Sequence, residues 1–202
     1  MYNASKHMFL YCMGVYTMNL LLTSCGLETD TIQQTFVNML NKPMNQIHAL
    51  FIPTAANSPD AIEVLPKCLE DLLRCGIPRE NILVYDLYDL ITDEQMQEID
   101  VVYLCGGSPS YLLRRINESG FRAKLLRYIS RNGVVLGVSA GSMVFASQME
   151  NNLGILHCPL HVHCPEEKRI TPGRYPLTRE EEIMLGNRQG IVFDADEFIV
   201  FE

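Results

Sequence analysis

No stretch of this 202-residue chain stays apolar for the length of a membrane span, so the sequence offers no transmembrane segment. Positive charge is also scarce. Sixteen Lys and Arg stand against 24 Asp and Glu, a formal net charge of -8. Nucleic acid and anionic membrane surfaces are held by clustered cations, so neither is expected as a partner. The acidic residues are scattered, and their one short run, Glu180-Glu181-Glu182, reads as a solvated face. CxxC spacing is absent. The seven cysteines, Cys12, Cys25, Cys68, Cys75, Cys105, Cys158 and Cys164, are odd in number and fit neither a disulfide framework nor a common zinc site. His157, Cys158, His161, His163 and Cys164 lie close together, but in an extended segment the three histidines face one way and the two cysteines the other. Zinc requires ligands that converge. No metal site is therefore expected, and free thiols in a reducing, cytoplasmic setting are the reading adopted.

The chain shows no repeat, low-complexity stretch or linker, and its length suits one domain with a sizeable core. Residues 1–17 stand apart. Phe9 to Tyr16 is moderately apolar after Lys6 but lacks a small-residue cleavage site, and Met18 opens a clean strand pattern. The segment is read as an upstream extension from a misplaced start that carries no chemistry, with 18–202 as a single α/β domain.

Within 18–202, short apolar runs alternate with helical patterns. The runs are 20–22, 47–52, 82–85, 101–104 and 134–138. Between them, 29–40, 58–75, 109–117 and 121–131 have helical spacing. The 58–75 pattern opens with Ser58-Pro59-Asp60 and ends at Gly76, with Pro66 as an interruption. The tail 190–202 reads as a hairpin. Such alternation predicts a mostly parallel sheet covered on both faces.

Chemistry concentrates at Gly137-Val138-Ser139-Ala140-Gly141, between the apolar run 134–138 and residues 142–149, which can be helical. A serine on a tight strand-to-helix turn needs small neighbours, so that strand and helix pack closely and its Oγ stands clear. The Ala140 N–H then points toward an oxyanion. Gly-rich strand–helix turns also bind phosphate, so the pentapeptide alone leaves both uses open. Cys105-Gly106-Gly107-Ser108 follows strand 101–104 and precedes a helix. Paired glycines there free backbone N–H groups at the carboxyl edge of the sheet, where they suit an oxyanion hole. A serine nucleophile needs a histidine base within reach, and downstream of Ser139 only His157, His161 and His163 qualify.

These pieces, in this order, resemble the peptidase E (aspartyl dipeptidase) family of serine peptidases. The resemblance rests on Leu22-Thr23-Ser24, Phe51-Ile52-Pro53-Thr54-Ala55, Tyr103-Leu104-Cys105-Gly106-Gly107 with Leu112-Leu113, Gly137 to Ser142, and Leu153-Gly154-Ile155-Leu156 leading to His163. It implies a three-layer α/β sandwich of the flavodoxin-like or class I glutamine-amidotransferase-like kind, a Ser-His-acid mechanism through an acyl-enzyme, and no cofactor. It implies Ser139 as nucleophile, His163 as base with His161 as fallback, and Gly106 or Gly107 with Ala140 as oxyanion donors. Aligning the terminal strands sets the family's acid opposite Ala195, so Asp194 is taken as the third member, with Asp196 or no acid left open. Thr178-Arg179-Glu180 resembles the segment whose arginine pairs with a substrate aspartate, making Arg179 the substrate-binding candidate.

The sequence departs from the family pattern at Ser108, where asparagine is common, and at Val162 and Cys164, which flank His163 in place of a proline and an aromatic. The Ser139-to-His163 segment is also short. The expected activity is a serine-type exopeptidase of dipeptidase kind on short peptides, including those with N-terminal Asp. The alternatives are a non-peptidase serine hydrolase or acyltransferase on the same scaffold, or a binding or regulatory homologue with a decayed site. The expected partner is a small peptide substrate, and a homodimer is left open as the assembly.

Overall fold

Each short apolar run becomes a strand: β1 (Met18–Thr23), β2 (Ala49–Ile52), β3 (Ile82–Val84), β4 (Val101–Leu104) and β5 (Val134–Val138). The computed structural model of the protein describes residues 18–202; the 1–17 segment lies outside the described residues. Between the strands run α1 (Asp30–Met39), α2 (Pro59–Arg74), α3 (Asp93–Gln97), α4 (Pro109–Glu118) and α5 (Phe121–Ser130). The helix starts are fixed by local chemistry. The hydroxyls of Thr29, Ser58, Thr92 and Ser108 each accept a first-turn N–H, and Gln95 reaches back to the Thr92 N–H to complete a capping box. Pro66 does not break α2. It sits on the exposed face, as does Ile62, whose carbonyl a proline cannot bond.

β3, β2, β4, β5 and β1 form, in that order, a parallel sheet extended by three antiparallel strands, β9 (Gly190–Asp194), β10 (Glu197–Phe201) and β7 (Gly173–Pro176). Every residue of β2, β4 and β5 is buried, as strands covered on both faces require. Period-two alternation divides them between two cores. Leu20, Leu22, Leu50, Ile52, Val102 and Leu104 pack with Leu112, Ile116, Phe121 and Leu125 of α4 and α5. Leu21, Phe51, Val101, Tyr103 and Leu136 pack with Ile32 and Phe36 of α1 and Leu72 of α2. Full burial of each such side chain contributes roughly 1.5–3 kcal/mol. The result is the expected three-layer α/β sandwich. Among the described residues no helix is long and apolar enough to cross a membrane.

The helix after β5 is shorter than the sequence suggests. α6 spans only Ala140–Met143, and 144–150 form turns rather than continuing to 149. The carbonyls that a longer helix would use are occupied: Val144 accepts the Leu153 N–H, and Phe145 accepts those of Ile155 and Leu156. The chain thus folds back early and delivers a separate parallel pair, β6 (Leu160–His161) with β8 (Ile183–Met184).

The start of α6 lies unusually close to the sheet. A Cβ at Gly141 would stand 2.2 Å from the Leu104 carbonyl oxygen, and one at Gly137 would stand 2.6 Å from the Gly141 oxygen. Both obstacles are backbone and cannot swing away. Gly141→Ala is therefore expected to destabilise the fold by about 3 kcal/mol, at the upper end of overpacking costs, in urea unfolding. Unchanged stability would show that α6 can lift off β4 freely.

Candidate active site

Ser139 sits at the carboxyl end of β5 with φ 51 and ψ -109, a conformation L-residues rarely adopt. Three groups over-determine it. Its N–H donates to the Thr23 carbonyl at 2.9 Å, and its carbonyl accepts the Ser142 and Met143 N–H groups. The fully buried Ser142 hydroxyl accepts the Thr23 N–H at 3.0 Å and lies 2.8 and 2.7 Å from the Thr23 and Gly137 carbonyls. Strain of this kind persists only where the surroundings enforce it, and it clusters at active sites.

His163 faces the serine, with Nε2 2.9 Å from Ser139 Oγ. Its placement depends on a chain of backbone choices. β6 and β8 run parallel, so His163, two residues past β6, and Asn187, three past β8, emerge at the same end. His163 adopts φ 58, outside the extended conformation that alternation of the 157–163 segment assumes. The Ser24 hydroxyl accepts the His163 N–H at 2.7 Å. The Asn187 side-chain oxygen lies 3.0 Å from His163 Nδ1, and the Cys25 sulfur 3.3 Å from the same atom. With Nδ1 donating to Asn187, Nε2 is left as the acceptor for the serine proton. Asn187 is itself held by a tight turn. The buried Gln189 side chain accepts the Gly186 N–H and donates to the Ile170 carbonyl, while the Gln189 carbonyl accepts the Ser24 N–H.

The other expected residues fall in different places. Gly106 lies beside the serine, since a Cβ there would be 3.3 Å from Ser139 Cβ. Gly107 has φ 136, and a Cβ there would meet the Ala55 carbonyl oxygen at 2.1 Å. The neighbouring Cys68 thiol is held below the usual thiol range, first by a hydrogen bond with Cys105, against burial, and then by Tyr103 and the Gly106 N–H. Ala140 opens α6, next to Ser139.

Asp194 is not at the histidine. β9 runs antiparallel to β1, so its first residue, Gly190, pairs with Thr23 at the end that carries Ser139, while Phe193 pairs with Met18 at the opposite end. Asp194 therefore stands on the order of 15 Å away along the strand, where it pairs with Arg174 at 3.0 Å. Asp196 lies in the same hairpin turn, beyond Asp194. The position that an acid was expected to fill is taken instead by Asn187. A search restricted to Asp and Glu passes over it, although a Gly-Asn turn just before the terminal strand is a visible signal. His161 pairs with Glu182 at 3.4 Å rather than with the serine. Arg179 stacks over Tyr175 at 5.1 Å and bonds the Glu181 carbonyl and carboxylate. The described contacts do not bring it to Ser139.

Beneath this site the β1–α1 loop is anchored by Asp71, which is buried. Its carboxylate accepts from Tyr103 at 2.9 Å, from the Leu27 N–H at 3.2 Å and from Arg74 at 3.0 Å. Burial pushes the Asp71 carboxyl above its usual range, against the pull of those donors.

A strained serine between β5 and α6 with a histidine on its Oγ, at the carboxyl edge of a three-layer parallel sheet, defines an α/β serine hydrolase. The chain belongs to peptidase family S51, whose family model matches residues 20–154, and it is a serine peptidase. That match carries Ser139 but stops short of His163 and Asn187. No curated protein matches the sequence. Two solved structures share the fold. One is a candidate peptidase E protein from Listeria monocytogenes EGD-e, with TM-score 0.70 and 19% identity over 92% of this chain and 98% of that one. The other is a peptidase from an acI-B1 Actinobacterium, with TM-score 0.59 and 16% identity over 92% and 88% of the two chains.

Two predictions follow from this geometry. Asn187→Ala is expected to lower kcat by up to about a hundredfold by freeing the imidazole, with little change in thermal midpoint because Asn187 is exposed. Asp71 supplies a pH test. A folded carboxyl that binds its proton more tightly than the unfolded one contributes most stability in acid, and that contribution is lost as pH rises through its raised folded value. Stability of wild type relative to Asp71→Asn should fall over that window, measured by urea unfolding across a pH series.

Proposed function

We propose that the protein is a serine-type exopeptidase that cleaves short peptides through an acyl-enzyme, with Ser139 as nucleophile and His163 as base. The observation that carries this reading is the 2.9 Å contact between Ser139 Oγ and His163 Nε2 on a strained strand-to-helix turn. Ser139 Oγ attacks the scissile carbonyl as its proton passes to Nε2; the resulting imidazolium then gives that proton to the leaving amine. Water, deprotonated by the same nitrogen, hydrolyses the acyl-enzyme.

The oxyanion that forms at each attack needs preorganised donors. We assign the Gly107 and Ala140 N–H groups to it. Gly106 flanks the nucleophile and is the other candidate donor. The third position of the relay goes to Asn187 rather than to Asp194. A neutral amide orients the ring but brings no charge to the imidazolium, so slower turnover than from a carboxylate-backed triad is expected.

Asp-X dipeptides are the substrates to test first, on the strength of the peptidase E resemblance. Arg179 has Glu181 and Tyr175 as partners, and to serve as an aspartate receptor it must exchange them for the substrate. Intact-mass analysis after fluorophosphonate treatment tests the central assignment. A single adduct is expected on wild type and none on Ser139→Ala, with hydrolysis of the peptide panel falling at least a thousandfold in that variant. Near-wild-type turnover by a folded Ser139→Ala protein would overturn it.

A further inference from the structure

The third position of the relay holds two groups. Besides Asn187, the Cys25 sulfur stands 3.3 Å from His163 Nδ1, contributed by the loop that follows β1 rather than by the β6–β8 pair. Its placement is tight. Ser24, the preceding residue, accepts the His163 backbone N–H at 2.7 Å, which ties the loop to the histidine through two adjacent residues. Gly26, the following residue, has φ 84, and a Cβ there would lie 2.3 Å from the Asp71 carboxylate, so the loop cannot slide outward past α2. Cys25 is thus held between the catalytic histidine and a buried anchor, and it is half-buried rather than presented to solvent.

We propose that Cys25 is a positioning residue for His163: its sulfur and the Asn187 oxygen form a two-acceptor seat for Nδ1–H, which keeps Nε2 unprotonated toward Ser139. The Asn187 oxygen can only accept, so its 3.0 Å approach places the ring proton on Nδ1 and leaves the sulfur beside that atom as a second acceptor. The competing arrangement has the thiol hydrogen on Nδ1. That would move the ring proton to Nε2 and leave Ser139 facing a donor, unable to transfer its proton. The charged groups around the sulfur are the Glu28 carboxylate, its ion-pair partner Lys67 on α2, and Asp71. Burial, followed by the Glu28 charge, holds the thiol above its ordinary range, so at neutral pH the seat is uncharged. A carboxylate at position 25 would add the charge that Asn187 cannot supply.

The proposal rests on His163 acting as the base, and the test separates the two. Long-range imidazole ¹H–¹⁵N spectra of the full chain, with the His163 signals assigned by their loss in His163→Gln, report tautomer and titration without requiring turnover. In wild type the neutral ring should carry its proton on Nδ1. Cys25→Ala should deplete that tautomer and lower kcat by about three- to tenfold, the share of one weak hydrogen bond. Cys25→Ser, which keeps an acceptor, should restore both. Cys25→Asp should raise the His163 titration midpoint, and the acidic limb of kcat/KM with it, by about one pH unit. A wild-type ring protonated on Nε2, or identical tautomer and titration in wild type and Cys25→Ala, would overturn the proposal whatever the activities. Loss of the catalytic reading itself would appear separately, as fluorophosphonate labelling that survives Ser139→Ala.

Discussion

The close approach of α6 to the parallel sheet is the constraint on which the rest of the site depends. Gly137 and Gly141 leave no room for a Cβ, and their obstacles are the backbones of α6 and β4 themselves. Only with those two side chains absent can the chain reverse from β5 into a helix within one residue, and that residue is Ser139, in a conformation of positive φ. The Ser142 hydroxyl, with no solvent exposure, ties the turn to β1 through both backbone groups of Thr23. Strand, turn and helix are one hydrogen-bonded unit, and Ser139 is its least relaxed point.

The loop after β1 extends this unit to His163. Thr23 holds the serine turn, Ser24 holds the His163 backbone, and the Cys25 sulfur lies on the His163 ring. Leu27 is tied to the buried Asp71. Consecutive residues thereby connect Ser139 and His163, which lie 24 positions apart in the chain. The histidine segment needs this help. β6 and β8 are two residues long each, and their ladder alone is a weak platform for a group that must stay within hydrogen-bond reach of Ser139.

Strand direction decides what meets the His163 ring. Family resemblance pointed to an acid near the end of the terminal strand, and the chain has Asp194 and Asp196 there. β9 runs against β1, however, so the edge that carries Ser139 receives the residues that precede β9 and not those that end it. Gly186-Asn187-Arg188 occupies that approach, and its amide meets the imidazole. Asp194 serves instead in an ion pair with Arg174, which also bonds Glu197 on the neighbouring strand.

The sequence by itself determined the local events. Buried parallel strands are continuous apolar runs and capped helices carry their own start signals, so the layered fold could be read from periodicity. The Ser139 turn could be read from two glycines, because the requirement for small residues there is local. Tertiary structure decided whatever depended on which ends of distant strands meet. The pairing of His163 with Asn187 needs the parallel register of two short strands, and the displacement of Asp194 needs the antiparallel sense of a third. The early end of α6 needs carbonyls claimed by residues ten positions onward. None of these has a local signature, since hydrogen bonds between segments far apart in sequence are set by the packing of the whole sheet.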